Sequence, residues 1–190
     1  YSSCGFYALH NGGYVEAAKS SPRTAYFIEF FHEFLEYISS TEHKAPLDFF
    51  SWHSYDTCER NCKSAFYVRE NLDKYGFLNT EIILNEWNPG IKRRGSEADA
   101  CFISEMMCRM HNTPVDMLMY YDARLNSTMN GMFDFYTLAP LKGYYPFKIF
   151  SELYIRQNQV EAKSLDDDVY IVAAKATNGK HKGKGIAMLC

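Results

Sequence analysis

The sequence predicts an α/β fold, a parallel sheet with helices between its strands, followed by a small all-β segment. Three observations predict it. Leu-Asp-Phe-Phe-Ser-Trp-His-Ser-Tyr (residues 47–55) and Thr-Glu-Ile-Ile-Leu-Asn-Glu-Trp-Asn-Pro (residues 80–89) are apolar runs that end abruptly in polar and aromatic residues. Such runs mark strands buried on both faces, as parallel sheets covered by helices contain. The runs beginning at 47, 80 and 115 start roughly 33 residues apart, the length of a strand–helix unit. Beyond Arg156 the texture changes to short β-like runs around an Asn-Gly pair, a hairpin signal.

Residues 24–39 predict the first helix, because Phe27, Ile28, Phe31, Phe34, Leu35 and Ile38 fall at the spacing of one buried face. Glu29, Glu33 and Glu36 then form its solvated face, and Ser20-Ser21-Pro22 supplies a start signal. Pro46 precedes a strand over 47–52. A second helix over about 63–75 ends at Gly76, which suits the left-handed C′ position. Residues 80–85 form the next strand. Gly95-Ser96-Glu97-Ala98-Asp99 opens a third helix through a capping box with Asp standing in for Glu or Gln. The apolar face of that helix includes Ala98, Cys101, Phe102, Met106 and Met110. Residues 115–121 read as a third buried strand and 145–154 as a further helix. Residues 169–174 are β-like, Asn178-Gly179 is a type I′ turn signal, and 185–189 begin a return strand. The expected organisation is an α/β part over 1–156 and the start of a β domain over 157–190. No sequence repeat accompanies the 33-residue period, which excludes a solenoid.

Among the 190 residues, 47% are hydrophobic and 16% aromatic. The fifteen Tyr and fourteen Phe exceed what a core needs, and aromatics at a cleft are what carbohydrates stack on. A formal net charge of −3 leaves no electrostatic footprint for nucleic acid. Lys180, Lys182 and Lys184 read as a solvated hairpin turn. The six cysteines (Cys4, Cys58, Cys62, Cys101, Cys108, Cys190) lack the density of a disulfide scaffold. Cys58-x-x-x-Cys62 resembles half of a zinc site, but no second pair stands at ligand spacing. Reduced thiols in a cytoplasmic protein are the plainer account. No apolar stretch approaches the ~18 residues of a membrane span. The chain opens on Tyr1 and stops inside an apolar run, so it reads as cut at both ends.

In a parallel barrel the polar residues after each strand lie at the catalytic mouth. His53, Tyr55, Glu86 and Trp87 would then share one rim. A carboxylate beside Trp, Asn, His and Tyr is suited to sugar cleavage. Taken alone, Glu86 fits a rim salt bridge equally well, and His53 alone fits a structural histidine. Asn85 and Asn88 tilt the balance, because amides beside a carboxylate suit sugar hydroxyls. His-Ser-Tyr at the equivalent strand end does the same for His53. Trp52 and Trp87 are the only tryptophans, and the expectation is one sugar platform and one core residue. Tyr121 is expected to face the site. Asp122 either tunes a neighbour or, the favoured reading, forms a loop network with Arg124. Residues 126–130 read as a rim loop, and Met106, Met107 and Met110 as core.

Phe-Phe-Ser-Trp-His-Ser-Tyr, then Ile-Ile-Leu-Asn-Glu-Trp-Asn, then a Tyr-rich strand resembles the C-terminal half of family 39 glycoside hydrolases. These are (β/α)₈ retaining glycosidases of clan A and include β-xylosidases and α-L-iduronidases. The resemblance covers most of residues 1–154 and implies strands six, seven and eight of the barrel for the three runs. It makes Ser2-Ser3-Cys4-Gly5 the end of strand five and the trailing segment the start of a β-sandwich. It implies that Glu86 is the nucleophile, that His53 and Tyr55 orient it and touch substrate, and that Asn85, Trp87, Asn88 and Tyr121 line the substrate site. Where many clan members carry Trp in the eighth strand, this chain reads Tyr-Tyr-Asp. The clan's acid/base is a Glu after an Asn at the end of strand four, and no such pair precedes strand six here. The chain alone is therefore expected to be inactive. The implied partner is a glycoside or oligosaccharide, with no metal, organic cofactor, nucleic acid or membrane; homo-oligomerisation stays open. Two alternatives are a metal-dependent barrel hydrolase using His53, Glu86 and Asp122, and a non-catalytic carbohydrate-binding relative.

Overall fold

The computed structural model describes residues 2–3, 6, 22–127 and 130–190. They form two compact units, Tyr1–Trp87 with Thr113–Tyr120, and Asn88–Asn112 with Tyr121–Cys190.

The first unit is built on a parallel sheet. Strands β1 (Ser2–Ser3), β2 (Phe49–Ser54), β3 (Glu81–Trp87) and β4 (Met117–Tyr120) lie in chain order, each parallel to its neighbour. Helix α1 (Pro22–Ser39) precedes β2, and α2 (Cys58–Lys74) joins β2 to β3. Ser2 and Ser3 pair with Ser51 and Trp52, whereas Cys4, Gly5, Ser20 and Ser21 lie outside the described residues. Helix α1 buries Ala25, Ile28, Phe31, Leu35 and Ile38 and leaves Glu29, Glu33 and Glu36 exposed, as the periodicity predicts. Phe27 and Phe34 fall at the margin of that face. Phe31 packs on Phe50 at 4.8 Å and edge-on to Phe6 at 5.2 Å, while Phe6 lies 6.2 Å from Trp52. Ala65, Val68 and Leu72 of α2 and Ile82 and Leu84 of β3 complete a fully buried layer. Each of the Val, Leu and Ile side chains contributes about 1.5–3 kcal/mol by leaving water.

Several boundaries differ from the sequence expectation. The third predicted strand is Met117–Tyr120 in place of 115–121, and its residues are exposed or half-buried, not buried. Helix α2 starts at Cys58, not near residue 63. The Thr57 side chain caps it by accepting from the Arg60 N–H, and the buried Asn61 and Ser64 conceal its early turns from a hydrophobic count. Its end is as expected. Gly76 has φ +86°; its N–H donates to Asp73 O and that of Phe77 to Leu72 O, the Schellman arrangement. Strands β2 and β3 also run two residues past their predicted ends, so His53, Glu86 and Trp87 are strand residues. Side chains pin the opposite strand starts: Thr80 Oγ1 donates to Leu47 O at 2.6 Å, Arg69 donates to the carbonyls of Phe77 and Thr80, and the Ile82 N–H donates to Asp116 Oδ2 at 2.8 Å.

The second unit holds α3 (Glu97–Met110), α4 (Tyr144–Arg156) and an antiparallel sheet of β5 (Asn158–Val160), β6 (Ile171–Lys175) and β7 (Gly185–Leu189). Helix α4 packs against α3, β6 and β7. Phe102, Ile103, Met106, Met107, Leu153, Val172 and Met188 form its core. The capping box differs in detail. Ser96 caps α3 by accepting from the Asp99 N–H, but the Asp99 carboxylate reaches back to the Gly95 N–H at 2.7 Å. Asp99 is thereby fully buried, and the inward face of α3 rotates to leave Ala98 and Cys101 exposed. The predicted hairpin exists as β6–β7, but its connection is not a type I′ turn. That turn needs positive φ at both central residues, and Asn178 has φ −143°. A longer loop with a 3₁₀ turn over Gly179–His181 makes the reversal, closed by Gly183 N–H donating to Ala176 O. Lys180 and Lys182 lie in that loop. No described cysteine is in a disulfide. Among the described residues no helix is long and apolar enough to cross a membrane.

Candidate active site

The carboxyl ends of β2 and β3 bring the sharpest sequence candidates together. Up to Trp52–Leu84 the two strands pair in simple register. The next pairs are His53 with Glu86 and Ser54 with Trp87. The β3–β4 pairing makes the same jump, from Leu84–Leu118 to Trp87–Tyr120. Both neighbours therefore meet one extra residue in β3 after Leu84. A bulge of this kind re-aims the side chains beyond it.

Its effect is to set Glu86 beside His53. The Nδ1 of His53 lies 3.5 Å from Glu86 Oε2, with the two side chains 31% and 28% exposed. That is slightly longer than the 2.6–3.2 Å of a hydrogen bond. Water and a ligand can thus reach both groups. Phe50 and Trp52 face the aromatic core, so by the two-residue period of a strand Ser51 and His53 take the other face. Asn85 joins them, its Nδ2 donating to Ser51 Oγ at 3.3 Å. Ser51, buried at 4%, was not singled out from sequence. Its signal was the alternation Phe-Ser-Trp-His, which gives Ser51 the same side as His53.

The remaining candidates separate into distinct situations. Tyr55 follows β2 directly at the same end and is 39% exposed. Trp87 is 1% exposed and Trp52 fully buried, which corrects the expectation that one of them offers a sugar platform. Trp87 packs edge-on to Tyr120 at 5.3 Å and is a core residue. Asn88 is also fully buried: its Nδ2 donates to Tyr121 O at 2.5 Å and its Oδ1 accepts from the Gly90 N–H at 2.7 Å. Both ends of its amide hold loop backbone, so it is not placed to meet a substrate as the sequence suggested. Tyr121 is half-buried, and its carbonyl is the group Asn88 holds. Asp122 forms the loop network read from sequence, accepting from Ser127 Oγ at 3.2 Å with Arg124 Nε at 3.9 Å. Of residues 126–130, Thr128 and Met129 lie outside the described residues. Among the described residues no three His, Cys, Asp or Glu side chains cluster as metal ligands.

The fold is one found in solved glycoside hydrolases. A glucosidase from Croceicoccus marinus aligns at a TM-score of 0.65 and 23% identity over 86% of this chain and 40% of that one. A family 39 β-xylosidase from Caulobacter crescentus aligns at 0.52 and 15% identity over 92% of this chain and 44% of that one. A family 44 endoglucanase from Clostridium acetobutylium aligns at 0.52 and 14% identity over 90% and 41%. The chain spans less than half the length of each of these structures. No family model and no curated protein matches its sequence. The mixed α/β architecture, with a parallel sheet and a separate antiparallel sheet, is thus shared with glycosidases at low identity.

Proposed function

We propose that this chain is the C-terminal half of a (β/α)₈ retaining glycosidase barrel of the family 39 type. On this reading β1 to β4 are strands five to eight, residues 1–156 belong to the barrel, and 157–190 begin a β-sandwich. The observation that carries it is the pairing of Glu86 with His53 at the carboxyl ends of adjacent parallel strands, 3.5 Å apart and open to solvent. Active sites of such barrels are built at that end. The likeness to solved glycosidases over 86% and 92% of the chain supports the same reading.

Retaining hydrolysis places two carboxyl groups about 5–5.5 Å apart, one to attack the anomeric carbon and one to protonate the leaving oxygen. Glu86 is the attacking group. His53, its neighbour on β2, orients the carboxylate, and Tyr55 lies at the rim where substrate enters. Asn85 and Ser51 brace the face behind them. Tyr121 is assigned to the substrate side of the eighth strand. The acid/base carboxyl comes from the part of the barrel outside these 190 residues, so the chain by itself does not turn over substrate. A glycoside or oligosaccharide is the substrate, and the chemistry needs no cofactor.

The test is Glu86→Gln in a protein carrying both carboxyls. Turnover should fall by on the order of 10³-fold or more, as it does when a nucleophile is removed, while substrate affinity is largely kept. A 2-deoxy-2-fluoro glycoside with a good leaving group should label Glu86 covalently, and peptide mass mapping locates the label. A label on another carboxylate, or near-normal turnover of the variant, would remove Glu86 from the role.

A further inference from the structure

The second unit contains a cavity that glycoside cleavage does not use. It has a volume of about 380 Å³ and lies between α4 and strands β5 and β6, within the about 300–1,000 Å³ span of small-molecule sites. Its floor is apolar, with Leu153, Val172 and Ala174 buried there. Two rings stand one helical turn apart on α4, Phe150 and Tyr154, and Tyr154 is 81% exposed. Tyr154 thus offers an exposed ring beside an apolar floor.

The polar lining consists of an imidazole, two amides and a phenol, His111, Gln157, Gln159 and Tyr154. His111 Nε2 lies 2.8 Å from Gln159 Oε1, and Phe150 stands edge-on to His111 at 6.1 Å. Gln157 occupies the left-handed position that ends α4, with φ +65°. Gly or Asn ordinarily takes that position. A Gln there carries a backbone cost, and its amide lines the cavity. Among the described residues, that amide makes no hydrogen bond. No Asp, Glu, Lys or Arg lines the space among the described residues. A charged ligand would lose its hydration without gaining a counter-charge, which is costly. Amides, an imidazole and a phenol both donate and accept, as neighbouring hydroxyls require, while the rings and the floor suit the C–H face of a pyranose.

We propose that this cavity binds a neutral sugar, a mono- or disaccharide, at a site that does not use Glu86. The inference stands on the lining chemistry alone and does not need Glu86 to be a nucleophile. The full chain is titrated with D-glucose, D-xylose, cellobiose and xylobiose, with binding followed by chemical-shift changes. Binding at millimolar or tighter concentration is expected, and it should persist in Glu86→Gln. Tyr154→Ala and Gln157→Ala together should weaken it by about tenfold or more, whereas Tyr154→Phe keeps the ring and should bind like the parent. Tyr154 is exposed, so its removal leaves the core intact, and circular dichroism checks that the variants fold. D-Glucuronate should bind about tenfold more weakly than D-glucose. The proposal fails if no neutral sugar binds, if the Tyr154 and Gln157 variants bind as the parent does, or if glucuronate binds as well as glucose. Loss of covalent labelling at Glu86 would overturn the glycosidase reading while leaving this one standing.

Discussion

Replacing Gly143 by Ala sets local propensity against tertiary packing, and the two predict opposite signs. Gly143 is the residue before α4, at φ −61° and ψ −19°, a conformation any residue adopts. Stiffening the unfolded chain there would stabilise the protein by about 0.4–1 kcal/mol. A Cβ at this position, however, would lie 2.6 Å from Gly131 O, 2.9 Å from Asp99 Oδ2 and 3.3 Å from Ile103 Cδ1. None of these neighbours can give way cheaply. Gly131 O is backbone, beside a segment tied down by Leu141 N–H donating to Met132 O at 2.8 Å. The Asp99 carboxylate is fully buried and occupied by the Gly95 N–H. Overpacking of this kind costs about 1–3 kcal/mol, leaving a net loss of about 1–2 kcal/mol after the propensity gain. With a urea m-value of about 2 kcal/mol/M, the midpoint should fall by about 0.5–1 M. Far-UV circular dichroism is the appropriate probe, because both tryptophans, Trp52 and Trp87, belong to the other unit. A variant as stable as the parent, or more so, would refute the packing argument.

Two further outcomes follow from particular contacts. Gly76→Ala meets no atom within 4 Å, so only its φ of +86° opposes the change; a loss of about 1–2 kcal/mol is expected, measured by the same urea titration. Stability should also decline at both ends of the pH scale through His32 and Tyr67, whose Nε2 and Oη lie 2.6 Å apart. Burial, then the Lys74 charge, holds the His32 pKa below 6.5. The unfolded chain therefore takes up that proton first, and stability falls as pH drops below about 6.5. Burial, then Tyr75, pushes Tyr67 up from 10.0 to about 12, so the unfolded chain loses that proton first and stability falls as pH rises through that interval. Thermal melts against pH should show both limbs, and Tyr67→Phe should flatten the alkaline one.

Much of the parallel sheet was legible because its strands are apolar runs that recur at the spacing of a strand and its helix. The runs overstated burial, however: β3 alternates buried with part-exposed residues, and β4 has no buried residue. Strand ends were less legible. Polarity marks where the cover over a sheet stops, whereas pairing continues, so His53 and Glu86 are paired strand residues although the apolar runs stop before them. The start of α2 was hidden by buried polar residues, Asn61 and Ser64, which no hydrophobic periodicity registers. Asn88 was misread for a related reason. An Asn beside a carboxylate suits a sugar hydroxyl, but it suits loop backbone equally well, and only the closeness of Tyr121 O and Gly90 N–H decides between them. The aromatic surplus misled in the same way: both tryptophans went to the core.

The arrangement of the candidate site depends on a feature that apolar runs conceal, the extra residue in β3. With simple alternation Glu86 would share a face with Ile82 and Leu84, both fully buried. An ionised carboxylate there would cost several kcal/mol. Trp87 would meanwhile take the face of Asn85 and His53. The bulge exchanges the two. Trp87 turns into the core at 1% exposure, and Glu86 turns to His53. The exchange shows in the burial of the strand, not in its sequence, where Ile83 is apolar as well. The buried apolar positions of the run are 82 and 84, then 87, so their parity changes across Asn85 and Glu86. A period-two pattern that slips by one within a single strand is the mark of a bulge. The slip falls at Glu86, the one carboxylate at the polar end of the run, and brings it out beside His53 instead of into the core.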